Sequence, residues 1–255
     1  MSNNGFTTII MYHYVRELEG TRYSSIKGLR LTEFKHQLEY FEKFYTFVSI
    51  QDVINRIYHN IKIPANALLL TFDDGYMDHF INVFPILKKK GIQGCFFPPA
   101  KAILYHKVLN VNKIHYLLAS ADIQNILHDL YNCLDKYRSE FSLESNGYYF
   151  SKLAKANRFD SNEIIFIKRL LQVELGEEIR NKIVDELFHK FVTNDEAAFA
   201  RKLYMSIDQI KYMARNGMYI GSHGFNHDWL NKLSPAKQIT EIDLSLQFLN
   251  EVDSP

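Results

Sequence analysis

Asp73 and Asp74 stand side by side in Thr71-Phe72-Asp73-Asp74-Gly75-Tyr76, and His223 and His227 stand four residues apart in Ser222-His223-Gly224-Phe225-Asn226-His227. Paired carboxylates and paired imidazoles are the inventory of a hydrolytic metal site. Zinc accepts imidazole nitrogen and carboxylate oxygen, and its catalytic sites leave a position for water. Two histidines and one aspartate make such a set, which leaves the second aspartate free to act as a base. Each motif alone has an ordinary explanation: Asp-Asp-Gly is common in solvated turns, and two histidines fall at this spacing by chance. Their joint occurrence, each directly after a strand-like run, favours chemistry. Neighbouring side chains on extended backbone point to opposite faces, so one step along the chain is expected to separate ligand from base. Gly75 supplies the backbone freedom for the turn that follows.

The elements around these residues alternate. Phe6 to Tyr12 is β-rich and delivers His13. Leu31 to Tyr45 reads as a helix with Phe34, Leu38, Phe41 and Tyr45 on one face. Ser49 and Asp52 form a capping box for a short helix through Tyr58. The apolar run Ala67 to Phe72 suits a strand buried on both faces. Asp78 to Lys90 reads as a helix closed by Gly91, with Pro85 marking a kink, and Ile92 to Phe97 as the next strand. Strand, helix and strand in that order call for a parallel sheet. In such sheets active residues gather at the carboxyl ends of the strands. His13, Asp73-Asp74 and His223 to His227 all meet that condition.

Between about Lys101 and Tyr204 the pattern becomes helical, over Asn112 to Leu134, Asn162 to Leu175 and Glu177 to Val192, with Tyr148 to Phe150 as a short hairpin element. The expected organisation is therefore a core segment over 1–100, a helical insertion over 101–204, and a return to the core over 205–255. Ser206 with Gln209 caps a helix ending before Gly217, and Met218 to Gly221 is the strand that presents His223. Ser234-Pro235 opens a last helix, whose buried stripe is expected to be Ile239, Ile242, Leu246 and Leu249. Trp229 is expected to pack under the histidine loop.

The 255 residues are 47% hydrophobic and 23% charged, with a formal net charge of +1. That balance gives no electrostatic reason to expect nucleic acid or an anionic membrane as partner. Nothing in the sequence specifies an oligomeric state. No stretch approaches the roughly 18 apolar residues of a membrane span, and Met1 to Gly5 lacks the order of a secretion signal. With only Cys95 and Cys133 present, no disulfide framework is expected and a cytoplasmic location is the default.

The Thr-Phe-Asp-Asp-Gly-Tyr and Ser-His-Gly-Phe-Asn-His runs resemble the first two motifs of the polysaccharide deacetylases, the NodB-homology group or carbohydrate esterase family 4. Met11-Tyr12-His13 is similar to the start of a branch whose domain opens with a Tyr-His pair. The resemblance covers about residues 6–100 and 205–252. It implies a deformed (β/α)7-type barrel, here incomplete, that removes acetyl groups from an N-acetylated sugar or glycan. By motif position it implies Asp74, His223 and His227 as ligands of a divalent metal, typically zinc, and Asp73 as general base.

The later family motifs, including an Arg that orients the base and a His that protonates the leaving amine, have no counterpart after His227. Truncation of the domain is one explanation. Another is that His13 replaces the missing histidine; a third role for His13 is as a buried buttress of the site. A family member without activity, serving as a carbohydrate-binding or assembly module, is the alternative function. Phosphoryl transfer through Asp73 is less favoured, because such enzymes space their aspartates by one residue.

Overall fold

The structure, a computed structural model, describes residues 6–252. The chain divides into two compact units. One takes the chain up to Glu17, Lys27–Lys107 and the chain from Ala200 onward; the other takes Leu18–Ile26 and Val108–Phe199.

The first unit is built on a parallel sheet. Strand β1 (Thr8–Tyr12) leads to helix α1 (Leu31–Phe44), strand β2 (Thr46–Phe47) and helix α2 (Ile50–His59). Ser49 accepts a hydrogen bond from the Asp52 N–H while the Asp52 carboxylate accepts from the Ser49 N–H, which closes the predicted capping box of α2. Strand β3 (Ala67–Asp73) follows. A π-helical turn, His79–Val83, then runs into helix α3 (Phe84–Lys90). Pro85 has no N–H to give the Ile81 carbonyl, and the wide turn accommodates that missing bond. Gly91, at φ 67°, stops α3. Strand β4 (Gly94–Phe97) and helix α4 (Ala100–Tyr105) complete the first stretch.

Every strand pair in the sheet is parallel, in the order β1-β3-β4 with β2 beside the start of β3. Leu68, Leu70 and Phe72 of β3 lie on one face and Ala67 and Leu69 on the other, and all are buried. Phe72 stacks between Tyr12 and Phe96, at centroid distances of 5.3 and 4.7 Å. Ala67 and Leu69 pack with Val48 and Cys95. Burying each large apolar side chain contributes about 1.5–3 kcal/mol, so this doubly covered strand anchors the unit.

The second unit is helical: α5 (Asn110–Leu118), α6 (Ile123–Phe141), α7 (Asn146–Leu153), α8 (Asn162–Arg169) running into a π-helical turn, α9 (Glu177–Phe191), and the start of α10 (Glu196–Leu203). Its core is formed by Leu130, Leu134, Phe166, Leu170, Ile183 and Leu187, among others. Lys113 is buried there and held by Asp185 at 2.6 Å and Glu196 at 2.9 Å. Two expectations fail in this unit. The run Asn112 to Leu134 is two helices, because Asp122 caps α6 by accepting from the Gln124 N–H. Tyr148 to Phe150 is not a hairpin: Ser145 caps α7 at the Tyr148 N–H, and Tyr149 and Leu153, one turn apart, are the residues it buries.

Back in the first unit, helix α11 (Ile207–Arg215) carries the Ser206/Gln209 capping box. Strand β5 is only Tyr219–Ile220 and pairs with β4. Helix α12 (Pro235–Val252) follows. Its expected stripe is overturned: Ile239, Ile242 and Leu246 are exposed, whereas Glu241, Ser245, Phe248 and Val252 are buried. Both sets recur at helical spacing. The inward face is the one whose carboxylate finds hydrogen-bond donors, described below.

The register brings the strand ends level. Tyr12 pairs with Phe72, Asp73 with Phe97, and Phe96 with Ile220. The residues that follow each strand therefore emerge at one edge of the sheet. Among the described residues β1 and β5 each pair on one side only, so the sheet is open. No helix among them is long and apolar enough to cross a membrane, and both cysteines are buried and free.

Candidate metal centre

Asp74, His223 and His227 come together at that edge, with one ligand atom from each lying within 4.8 Å of the others. Asp74 Oδ1 is 3.6 Å from His223 Nε2 and 3.5 Å from His227 Nε2. These separations are too long for good hydrogen bonds, and Asp74 Oδ1 is buried with no hydrogen-bond partner. A bare buried carboxylate oxygen is costly. Two ligand atoms on one tetrahedral zinc, each at about 2.1 Å, stand about 3.4 Å apart. The donor set and its spacing therefore fit a divalent ion.

The Asp74 carboxylate is aimed by its other oxygen. Oδ2 accepts a hydrogen bond from the Tyr76 hydroxyl at 2.5 Å. Tyr76 is fully buried and stacks on Tyr14 and Tyr204 at 4.1 and 6.1 Å. Burial drives its pKa well above the ordinary value, with Tyr14 and Asp74 adding to the effect, so the hydroxyl stays a donor. The backbone matters as much. Asp74 sits at φ 71° and Gly75 at φ 63°, so the two aspartates are not on continuous extended backbone as expected. The turn, rather than strand alternation, separates them. A Cβ on Gly75 would stand 2.7 Å from Pro98 Cβ, which leaves room for glycine alone.

The histidine loop is tied down along its length. Gly221 N–H donates to Phe96 O at 2.8 Å, and Gly224 N–H to Ser222 Oγ at 3.1 Å. Ala100 and Lys101, at the start of α4, donate their N–H groups to Gly224 O and Phe225 O at 3.1 and 3.0 Å. Glu241 of α12 accepts from Asn226 N–H and Asn226 Nδ2, at 2.5 and 2.8 Å. His227, like Asp74, adopts left-handed backbone, at φ 64°. Its pKa is lowered chiefly by burial, with the neighbouring His223 and His13 adding to the effect and Asp74 opposing it.

Asp73 ends β3, half-buried. Burial raises its pKa, the imidazoles of His223 and His13 pull it down, and Asp74 raises it further. His13 is exposed, which corrects the buried-buttress role. The buried histidine is His79, fully enclosed, whose Nε2 donates to the His13 carbonyl at 2.8 Å. Trp229 is 72% exposed rather than packed beneath the loop. Tyr76, His79 and Glu241 are supporting residues that sequence reasoning missed. Tyr76 stood inside a quoted motif, but nothing in its spacing marked it as a donor to Asp74.

The Polysaccharide deacetylase family model matches residues 188–254, which include both histidines of the centre. Poly-beta-1,6-N-acetyl-D-glucosamine N-deacetylase of Escherichia coli (strain K12) is 34% identical over 86 residues, or 34% of this chain. The match spans only 12% of that relative's length. Among solved structures, the Streptococcus pyogenes deacetylase PplD in complex with acetate superposes with a TM-score of 0.53 over 96% of this chain and 68% of that one. At 16% identity that likeness is one of fold. The quoted motifs, the family match over the last part of the chain and the shared α/β fold make this chain similar to the polysaccharide deacetylases.

Proposed function

We propose that the chain is a metal-dependent hydrolase that removes the N-acetyl group from an acetamido sugar of a glycan or glycan precursor. The observation that carries this reading is the bare Asp74 Oδ1, buried and nearly equidistant from two imidazole nitrogens. Asp74, His223 and His227 would hold the ion, with zinc the ordinary choice for one carboxylate and two imidazoles. A divalent ion there supplies Lewis acidity toward the acetamide carbonyl and lowers the pKa of water.

The remaining work falls to the chain's own side chains. The Asp73 carboxylate takes the proton from the attacking water. Its raised pKa makes it a better acceptor than an ordinary aspartate. As the C–N bond breaks, acetate leaves and the sugar amine takes up a proton. His13 is the proposed donor: it is exposed at the same edge and its charge is felt by Asp73. On this reading the unit carrying the metal centre is the catalytic domain and the helical unit is an insertion within it.

The test is metal content and acetate release from N-acetylglucosamine oligomers. Wild type should hold one divalent ion per chain and release acetate. Asp73→Asn should keep the ion and lose at least about 10²-fold in rate. Failure of wild type to bind zinc, cobalt or nickel overturns the reading. An ion without acetate release from any such oligomer favours the binding-module alternative.

A further inference from the structure

The loop that carries both histidines is fastened by a carboxylate from outside it. Glu241 is 3% exposed, and a buried carboxylate is tolerated only where donors satisfy it. Those donors are the backbone N–H and side-chain amide of Asn226, at 2.5 and 2.8 Å. The amide is oriented in turn by Lys101, whose Nζ donates to Asn226 Oδ1 at 2.8 Å. The fit is close on the far side too: a Cβ on Gly224, at φ 80°, would lie 3.1 Å from Glu241 Oε1. Asn226 immediately precedes His227, which is held in left-handed backbone.

We propose that Glu241, acting through Asn226, is a positioning residue that fixes where His227 presents its imidazole relative to Asp74. The inference rests on the metal-centre reading above. Histidine ligands bind well only when their orientation is set beforehand, and loss of such supporting partners costs roughly 10–100-fold in metal affinity. Here the support acts through the backbone next to the ligand, not through the imidazole itself.

The experiment compares wild type, Glu241→Ala, Glu241→Gln and Asn226→Ala. Zn²⁺ affinity is measured by competition with a chromophoric chelator, and amide exchange at Asn226 and His227 is measured in metal-free protein. Glu241→Ala should weaken Zn²⁺ binding about 10–100-fold and speed exchange at Asn226. Glu241→Gln keeps one of the two acceptors but turns an NH2 toward the other Asn226 N–H, so it should fall between wild type and Glu241→Ala in both measurements. Asn226→Ala should weaken binding too, and the Glu241→Ala/Asn226→Ala pair should lose less than the two single losses combined. Asn226→Ala carries the test alone if Glu241→Ala does not fold.

Zn²⁺ binding in Glu241→Ala as tight as in wild type overturns the proposal. If wild type itself takes up no Zn²⁺, the metal reading fails. The clamp is then judged by exchange alone, and an unchanged Asn226 amide in Glu241→Ala rejects it.

Discussion

His79 ties acid stability to the core beside the candidate metal centre. Its Nε2–H is given to the His13 carbonyl, and its Nδ1 is buried without a partner. The rings of Phe72, Tyr76 and Phe96 surround it. A proton arriving at Nδ1 would create a buried cation with no acceptor. Burial accordingly lowers the His79 pKa from 6.5 to about 4, although the His13 carbonyl and Asp74 favour the charged form. Between those two values the unfolded chain binds the proton and the folded chain refuses it. Stability is therefore complete above pH 6.5 and is lost as pH falls toward 4. The gap corresponds to about 3 kcal/mol in full, and to about 2 kcal/mol between pH 7 and pH 4.5. His79→Gln places an amide N–H where Nε2 stood and cannot titrate. Urea unfolding followed by circular dichroism, with EDTA present so that metal release plays no part, should show wild type losing about 2 kcal/mol more than His79→Gln across that interval. Asp78, whose pKa burial raises against the pull of Arg16, acts with the opposite sign but is common to both proteins and cancels. Parallel stability curves for the two proteins would refute the reasoning.

Two further outcomes follow from the turn after β3. Tyr76→Phe keeps the stacking on Tyr14 and Tyr204 but strips the buried Asp74 carboxylate of a donor, so denaturant titration of metal-free protein should show a loss of about 1.5–3 kcal/mol. No loss would mean that water replaces the hydroxyl. Gly75→Ala forces a side chain onto left-handed backbone and drives its Cβ against Pro98. It should cost more than about 2 kcal/mol, and an unshifted thermal midpoint would contradict the packing described.

Much of the sheet was legible in the sequence because local rules decide it. Ala67 to Phe72 is too apolar for anything but a covered strand, Ser49/Asp52 and Ser206/Gln209 announce their helices, and Gly91 ends one. Placing His13, Asp73-Asp74 and His223 after strands was enough to bring them to one edge, since parallel register does the rest. What escaped notice depends on partners distant in sequence. The face that α12 turns inward is set by Asn226, whose N–H groups require Glu241, and a hydrophobic periodicity cannot see that demand. Likewise His79 looked like any helical histidine until its carbonyl partner, 66 positions earlier in the chain, came into contact. Tyr148 to Phe150 misled because aromatic residues favour strands, while the cap at Ser145 and the i,i+4 burial of Tyr149 and Leu153 decided for a helix.

The left-handed backbone at residues 74 and 227 narrows which side chains can serve there. Outside glycine, that conformation is populated chiefly by asparagine, aspartate and histidine. Zinc selects from aspartate, glutamate, histidine and cysteine. Only aspartate and histidine belong to both sets, and they are the residues found. A library randomised at both positions and sorted for zinc retention should therefore converge on those two letters, with glutamate and cysteine eliminated by torsion rather than by coordination chemistry.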